Sequence, residues 1–306
     1  MQILQFFENL RTGFGTACAF VFSLFGETLF LVVLICLLYW IYEKQFGEKL
    51  VLTAFSSMTV NSFLKLVIAR PRPYTVEGGV SRVDIDAGPL LSTTELAPLE
   101  SCPSGHSQMS AGMFFTAAFR YKKWWAWVVF PLATLGVMWS RMYFGVHYPT
   151  DVLFGATLGA LFACLWEFIY QKLDKHKWWI FGVFALISIV FMCIFHTNKG
   201  MVEICACTTA AAICLPLENK FIKFADAKGA KSRILRALVG LVCVGAVYCL
   251  FSFLPFHFLE LLPWKFVKYF LTVSVATLLV PFLFKTRNST SYVFPATKPQ
   301  AASKSI

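Results

Sequence analysis

Three short stretches of this chain carry residues able to act together on an anion. Lys65 is followed after six residues by Arg72-Pro73. Pro103-Ser104-Gly105-His106 opens an apolar run, and Ser140-Arg141 precedes His147 and Asp151. Phosphoryl transfer needs the charge on the non-bridging oxygens neutralised. Lys65, Arg72 and Arg141 can do that, the arginines with two donors each. A helix starting at Ser104–Gly105 would aim backbone N–H groups at the same anion, and Gly105 lets that backbone approach closely. Two histidines can divide attack and proton transfer between them. Asp151 lies one helical turn after His147, where its carboxylate can accept the imidazole N–H, with Pro149 suited to the first turn of that helix.

Each stretch alone has a plainer reading. Lys65 and Arg72 can be interface anchors, and Ser104 a helix cap. Arg141 can be an interfacial residue and His147 a polar loop residue. The combination carries the chemistry, because ionisable groups near membrane depth are costly and mark a site by default. Two further polar residues, Asn61 one turn before Lys65 and Glu27 at the head of the first span, are read as structural.

The elements that must position these residues are membrane helices. The 306 residues are 58% hydrophobic and 14% charged, with mean hydropathy +0.67. Soluble domains carry about 25% charged residues. Charge-poor runs at 28–42, 50–69, 105–119, 124–139, 152–170, 178–195, 201–217, 237–256 and 269–284 predict about nine spans, at ~20 residues each once flanks are included. Residues 1–24 read as an interfacial or membrane-entry segment rather than a secretory leader, since Glu8 and Arg11 interrupt them. Residues 25–175 would be the catalytic membrane domain, 176–287 additional C-terminal spans, and 288–306 a disordered tail. The fold class expected is therefore an all-α polytopic bundle.

The net charge of +11 does not indicate nucleic acid. Of 27 lysines and arginines, 18 fall in loops that share one side of the membrane under this layout. That asymmetry predicts a cytoplasmic side for those loops and for the C-terminus. The three chemical stretches then face outward, together with the acidic segment 70–104, which holds Glu77, Asp84, Asp86, Glu95 and Glu100.

The spacing of the stretches resembles the signature of the type 2 phosphatidic acid phosphatase superfamily, in its membrane branch: K-x6-RP, then PSGH, then SR-x5-H-x3-D. All three stand in this chain in order, across roughly residues 25–170. The resemblance implies a six-helix catalytic core. It implies phosphate binding by Lys65, Arg72, Arg141, Ser104 and Gly105, with His106 as general acid. His147 would be the nucleophile that forms a phosphohistidine, oriented by Asp151. No metal or cofactor is expected. Arg70, two residues before the motif arginine, is read as an anchor or auxiliary.

The expected function is hydrolysis of a lipid phosphate or diphosphate at the outer face of a plasma membrane. Polyprenyl diphosphate such as undecaprenyl diphosphate, phosphatidic acid and phosphatidylglycerol phosphate all fit. The partners are the lipid substrate and the bilayer; a homo-oligomer is left open. A lipid phosphotransferase would use the same residues. A non-enzymatic lipid transporter fits less well, since no motif residue is lost. A soluble haloperoxidase conflicts with the membrane spans.

Overall fold

A computed structural model describes residues 1–87, 93, 96–253 and 262–285. The expected disordered tail at 288–306 and the loop residue Glu95 lie outside the described residues. Among the described residues the regular elements are helices: α1 Gln2–Asn9, α2 Gly13–Leu24, α3 Thr28–Leu37, α4 Lys44–Ile68, α5 Gly105–Tyr121 and α6 Ala126–Tyr143. They continue with α7 Pro149–Lys172, α8 Lys177–Ile194, α9 Lys199–Leu217, α10 Ala230–Phe253, α11 Leu262–Ser274 and the single turn α12 Val280–Leu283.

Each of the nine apolar runs overlaps a helix within its described residues, but by length and composition alone fewer than nine pass as spans. Six helices are long and apolar enough to cross a membrane, and seven if α2 and α3, bent by 45° across a short break, form one span. The shortfall is α5 and α6. Helix α5 has 17 residues and buries Ser107, Gln108, Ser110 and Thr116. It is enclosed by other helices, so its side chains answer to protein neighbours more than to lipid.

The pairing of α5 with α7 is the densest in the molecule and sets the position of the PSGH stretch. Small residues make it close. A Cβ on Gly155 would meet the Ser104 carbonyl oxygen at 2.4 Å, and one on Gly159 would meet the Gln108 carbonyl oxygen at 2.1 Å. Gly155 and Gly159 form a small-xxx-small pair, which lets two membrane helices touch through backbone. Gly159→Ala must therefore push the helices apart. We expect it to cost about 1–3 kcal/mol, seen as a lower melting temperature in detergent. An unchanged melting temperature would show that the contact is not tight.

Hydrogen bonds between polar side chains hold the remaining helices. Asn61 on α4 donates to Gln108 Oε1 on α5 at 2.7 Å, and Gln108 donates to the Ser57 hydroxyl and carbonyl oxygens at 2.8 Å each. Trp166 Nε1 on α7 donates to Ser56 Oγ at 2.9 Å. Thr59 on α4 meets Thr208 on α9 at 3.1 Å, which joins the C-terminal helices to the catalytic half. The Trp40 indole N–H donates to the Ala276 carbonyl oxygen at 2.9 Å, joining the first span to the last.

Candidate active site

The site lies where α4 ends, α5 begins and α6 passes into α7. Each boundary has a local cause. Helix α4 stops at Ala69 in the left-handed region (φ 46°), whose N–H donates to the Lys65 carbonyl oxygen at 3.0 Å. Helix α5 starts after Ser104, whose hydroxyl accepts from the Ser107 N–H at 3.4 Å and from the Ser107 hydroxyl at 3.1 Å. Ser104 is thus a cap, as one reading of the sequence had it, and the cap exposes the first N–H groups of α5. Helix α7 begins at Pro149 and places Asp151 in its first turn. The Asp151 carboxylate accepts from the Tyr148 N–H at 3.0 Å.

His147 lies in the short α6–α7 connection and is 2% exposed. Its Nδ1 is 2.7 Å from the Ser101 carbonyl oxygen, and its Nε2 is 3.4 Å from Arg72 Nη1. A carbonyl oxygen can only accept and a guanidinium can only donate. Nδ1 therefore carries the proton and Nε2 the lone pair. Burial pushes the imidazole down to about 3, with Arg72 and Arg141 working in the same direction and Asp151 against it. A neutral, tautomer-fixed imidazole is the form a nucleophile requires.

Asp151 acts on this histidine at one remove. Its carboxylate oxygen is 3.8 Å from Nδ1, beyond hydrogen-bonding reach. It accepts instead from the Ser101 hydroxyl at 2.5 Å and from Arg70 Nη1 at 2.7 Å. The direct imidazole–carboxylate bond expected from the spacing is replaced by a relay through Ser101, because the Ser101 carbonyl already occupies the Nδ1 position. Arg70 donates from Nη1 to Thr150 Oγ1 as well, at 2.7 Å, and stacks on the Tyr148 ring at 4.0 Å. It is part of the support of the site rather than an interface anchor alone.

The basic residues divide. Arg72 is 2% exposed and gives three of its donors to backbone, at the carbonyl oxygens of Ala97, Val146 and Glu100 (2.8, 3.0 and 3.1 Å). It clamps the loop before α5 to the strand of chain that carries His147. Arg141 is fully buried; Nη1 donates to Ser23 Oγ at 2.8 Å, while Nε and Nη2 have no partner among the described residues. Buried N–H groups without acceptors are costly, so two on one guanidinium suit an anionic oxygen. Arg141 is within electrostatic reach of Glu27, His106 and His147. Lys65 Nζ lies 3.8 Å from the point where a Gly105 Cβ would sit, and Asn61 Oδ1 lies 3.6 Å from it. Asn61 Oδ1 is also buried without a partner. Lys65 and Asn61 thus meet at the start of α5, Arg72 and Asp151 support the chain around His147, and Arg141 faces both histidines. Among the described residues no group of three His, Cys, Asp or Glu side chains is placed to hold a metal ion.

His106 Nε2 is 2.8 Å from Glu27 Oε2. Glu27, read from sequence as structural, lies at the break between α2 and α3, where it also accepts from the Thr28 N–H at 3.2 Å. The signal available in the sequence was an acid at the edge of a span.

Comparison with known proteins settles the family. Residues 46–175 match the PAP2 superfamily, and residues 202–290 match the PAP2 superfamily phosphatase transmembrane extension. The chain belongs to the PAP2 superfamily. The C-terminal helices, which carry no motif of their own, thus correspond to an extension found with PAP2 phosphatases. Among curated relatives, the PAP2 chain is 26% identical over 181 residues to the lipid A 4′-phosphatase of Bacteroides thetaiotaomicron, covering 56% of this chain and 77% of that protein. It is 32% identical over 140 residues to the lipid A 1-phosphatase of Rhizobium etli, covering 43% and 53%. It is 28% identical over 166 residues to phosphatidylglycerophosphatase B of Bacillus subtilis, covering 50% and 73%. The match to the Rhizobium relative spans only about half of that relative's length.

Proposed function

We propose that this PAP2 protein hydrolyses a lipid phosphate or diphosphate through a phosphohistidine on His147, without a metal. The observation that carries the reading is a fully buried Arg141 with two N–H groups unpartnered among the described residues, near a neutral histidine whose Nε2 lone pair meets only the Arg72 guanidinium. The phosphoryl group would sit against Arg141, Lys65 and the first N–H groups of α5 at Ser104–Gly105. Arg72 Nη1, now on His147 Nε2, would turn to a phosphate oxygen and uncover the lone pair. Nε2 then attacks phosphorus, the bond from phosphorus to the lipid oxygen breaks, and that oxygen takes a proton from His106. In the second step water attacks the phosphohistidine. Its proton passes to His106, the P–N bond breaks with its electron pair returning to Nε2, and inorganic phosphate leaves.

A membrane bundle suits a substrate whose tail stays in the bilayer. The relatives named above act on lipid A and phosphatidylglycerophosphate, which supports a lipid head group here. The asymmetry of the basic loops supports a site at the outer face of a plasma membrane, with a cytoplasmic C-terminus, as part of this reading. The test is phosphate release from polyprenyl diphosphate, phosphatidic acid, phosphatidylglycerol phosphate and lipid A, with EDTA present. Release that EDTA leaves unchanged is expected. Release that depends on an added acceptor alcohol would mean a phosphotransferase. Silence on every lipid would sink the reading.

A further inference from the structure

Glu27 lies ahead of residues 46–175 and 202–290, the stretches matched by the family, and none of the three motifs contains it. Its placement is nevertheless specific. The pair α2 and α3 bends by 45° at a break that holds Phe25, Gly26 and Glu27. Broken helices at membrane depth are tolerated where they line a site or a cavity. The break packs directly on His106. A Cβ on Gly26 would meet the His106 Cβ and carbonyl oxygen at 2.9 Å each, so only glycine allows the approach. The next residue delivers its carboxylate to His106 Nε2 at 2.8 Å. His106 and Glu27 are 20% and 18% exposed at their side chains, so the pair is largely shielded from water. Burial, Arg141 and Lys65 all disfavour a positive His106, and the Glu27 carboxylate is the group that works against them.

We propose that Glu27 is a positioning residue for His106: it holds the ring with Nδ1 toward the substrate and keeps it able to carry the proton that the leaving lipid oxygen needs. This rests on the phosphatase reading above. With Glu27 ionised, Nε2–H donates to the carboxylate. Nδ1–H is then the proton that moves to the leaving oxygen in the first step, and Nδ1 accepts the proton of water in the second. The two histidines are thus served by different acceptors. Burial keeps His147 neutral for attack while a backbone carbonyl fixes its tautomer, and a carboxylate works toward the charged form of His106 for donation.

The test compares wild type with Glu27→Gln, which keeps the Thr28 cap through its carbonyl oxygen but removes the charge. With a lipid phosphate, kcat should fall about 10–100-fold and the alkaline limb of the pH–rate profile should move about one unit or more toward acid. With p-nitrophenyl phosphate, whose leaving group needs little protonation, the loss should be smaller. A second readout does not depend on turnover. The ¹⁵N-histidine resonance of His106, assigned by its loss in His106→Gln, should titrate at lower pH in Glu27→Gln. Equal losses on both substrates with a parallel pH profile, or an unmoved resonance, would overturn the proposal. A wild type that hydrolyses nothing but shows the shifted resonance would keep the pairing and discard the phosphatase. If Glu27→Gln does not fold, Glu27→Asp, which withdraws the carboxylate by one methylene, should shift both readouts in the same direction by less; no shift would overturn the proposal.

Discussion

His147→Ala is expected to abolish phosphate release, lowering kcat by about 10⁴-fold or more, the range seen when a covalent nucleophile is removed. That is roughly 5.5 kcal/mol of transition-state stabilisation. The loss should be in kcat, since the proposed phosphate site at Arg141, Lys65 and the α5 N-terminus is left intact. Radiolabelled lipid phosphate should label wild type after an acid quench only weakly, given the acid lability of a P–N bond, and survive an alkaline quench; His147→Ala should show no label under either. Label retained in the variant would remove His147 as nucleophile. The fold should tolerate the change at neutral pH. The imidazole is held near 3 by burial, against about 6.5 in an unfolded chain. Between those values the unfolded state binds the extra proton, so His147 lowers stability as the pH falls from 6.5 toward 3. His147→Ala should therefore lose less stability than wild type over that window. A parallel loss in both would contradict the buried, neutral histidine.

The second large effect concerns Arg141. Arg141→Met should lower kcat/KM by about 10³-fold, because it removes a bidentate donor from a site where charge develops. Its effect on stability should run the other way. A buried guanidinium with two unsatisfied N–H groups is a cost to the ligand-free fold, and an apolar side chain of similar length removes it. The melting temperature without ligand should be equal to or above that of wild type. Orthovanadate, a phosphate mimic, should raise the melting temperature of wild type and leave Arg141→Met unmoved. Arg141→Lys should recover little, since a point charge does not replace the fork. A variant less stable than wild type that still responds to vanadate would show that Arg141 serves the fold and not the anion.

Much of this site was legible because its residues announce themselves by type and spacing. Lys65, Arg72, His106, Arg141, His147 and Asp151 are charged or titratable groups placed at the ends of apolar runs, where they have no ordinary reason to be. What stayed hidden had no such contrast. Glu27 meets His106 from 79 residues away, and at the head of a span a cap explains it equally well. Arg70 stands two residues from the motif arginine, so periodicity could not tell which arginine supports Asp151. The Ser101 carbonyl is a main-chain atom with no sequence signature at all. Helix α5 falls short as a span for a related reason. Hydropathy reads a helix as though lipid surrounded it, whereas α5 is wrapped by protein and keeps Ser107, Gln108 and Ser110 as internal hydrogen-bonding groups.

The bond from His147 Nδ1 to the Ser101 carbonyl has an unusual consequence for how this protein can be damaged. In a triad the restraint on the histidine is a side chain, and a single substitution deletes it. Here every amino acid at position 101 supplies the same oxygen. The restraint is stored in the path of the chain, which Arg72 pins at Ala97 and Glu100 and which the Ser104 N–H ties to the Asp151 carbonyl oxygen at 3.0 Å. Point replacement at 101 therefore spares the tautomer, whereas one residue added or removed between Glu100 and Ser104 would carry the oxygen away and leave every catalytic side chain in place around an unaligned ring.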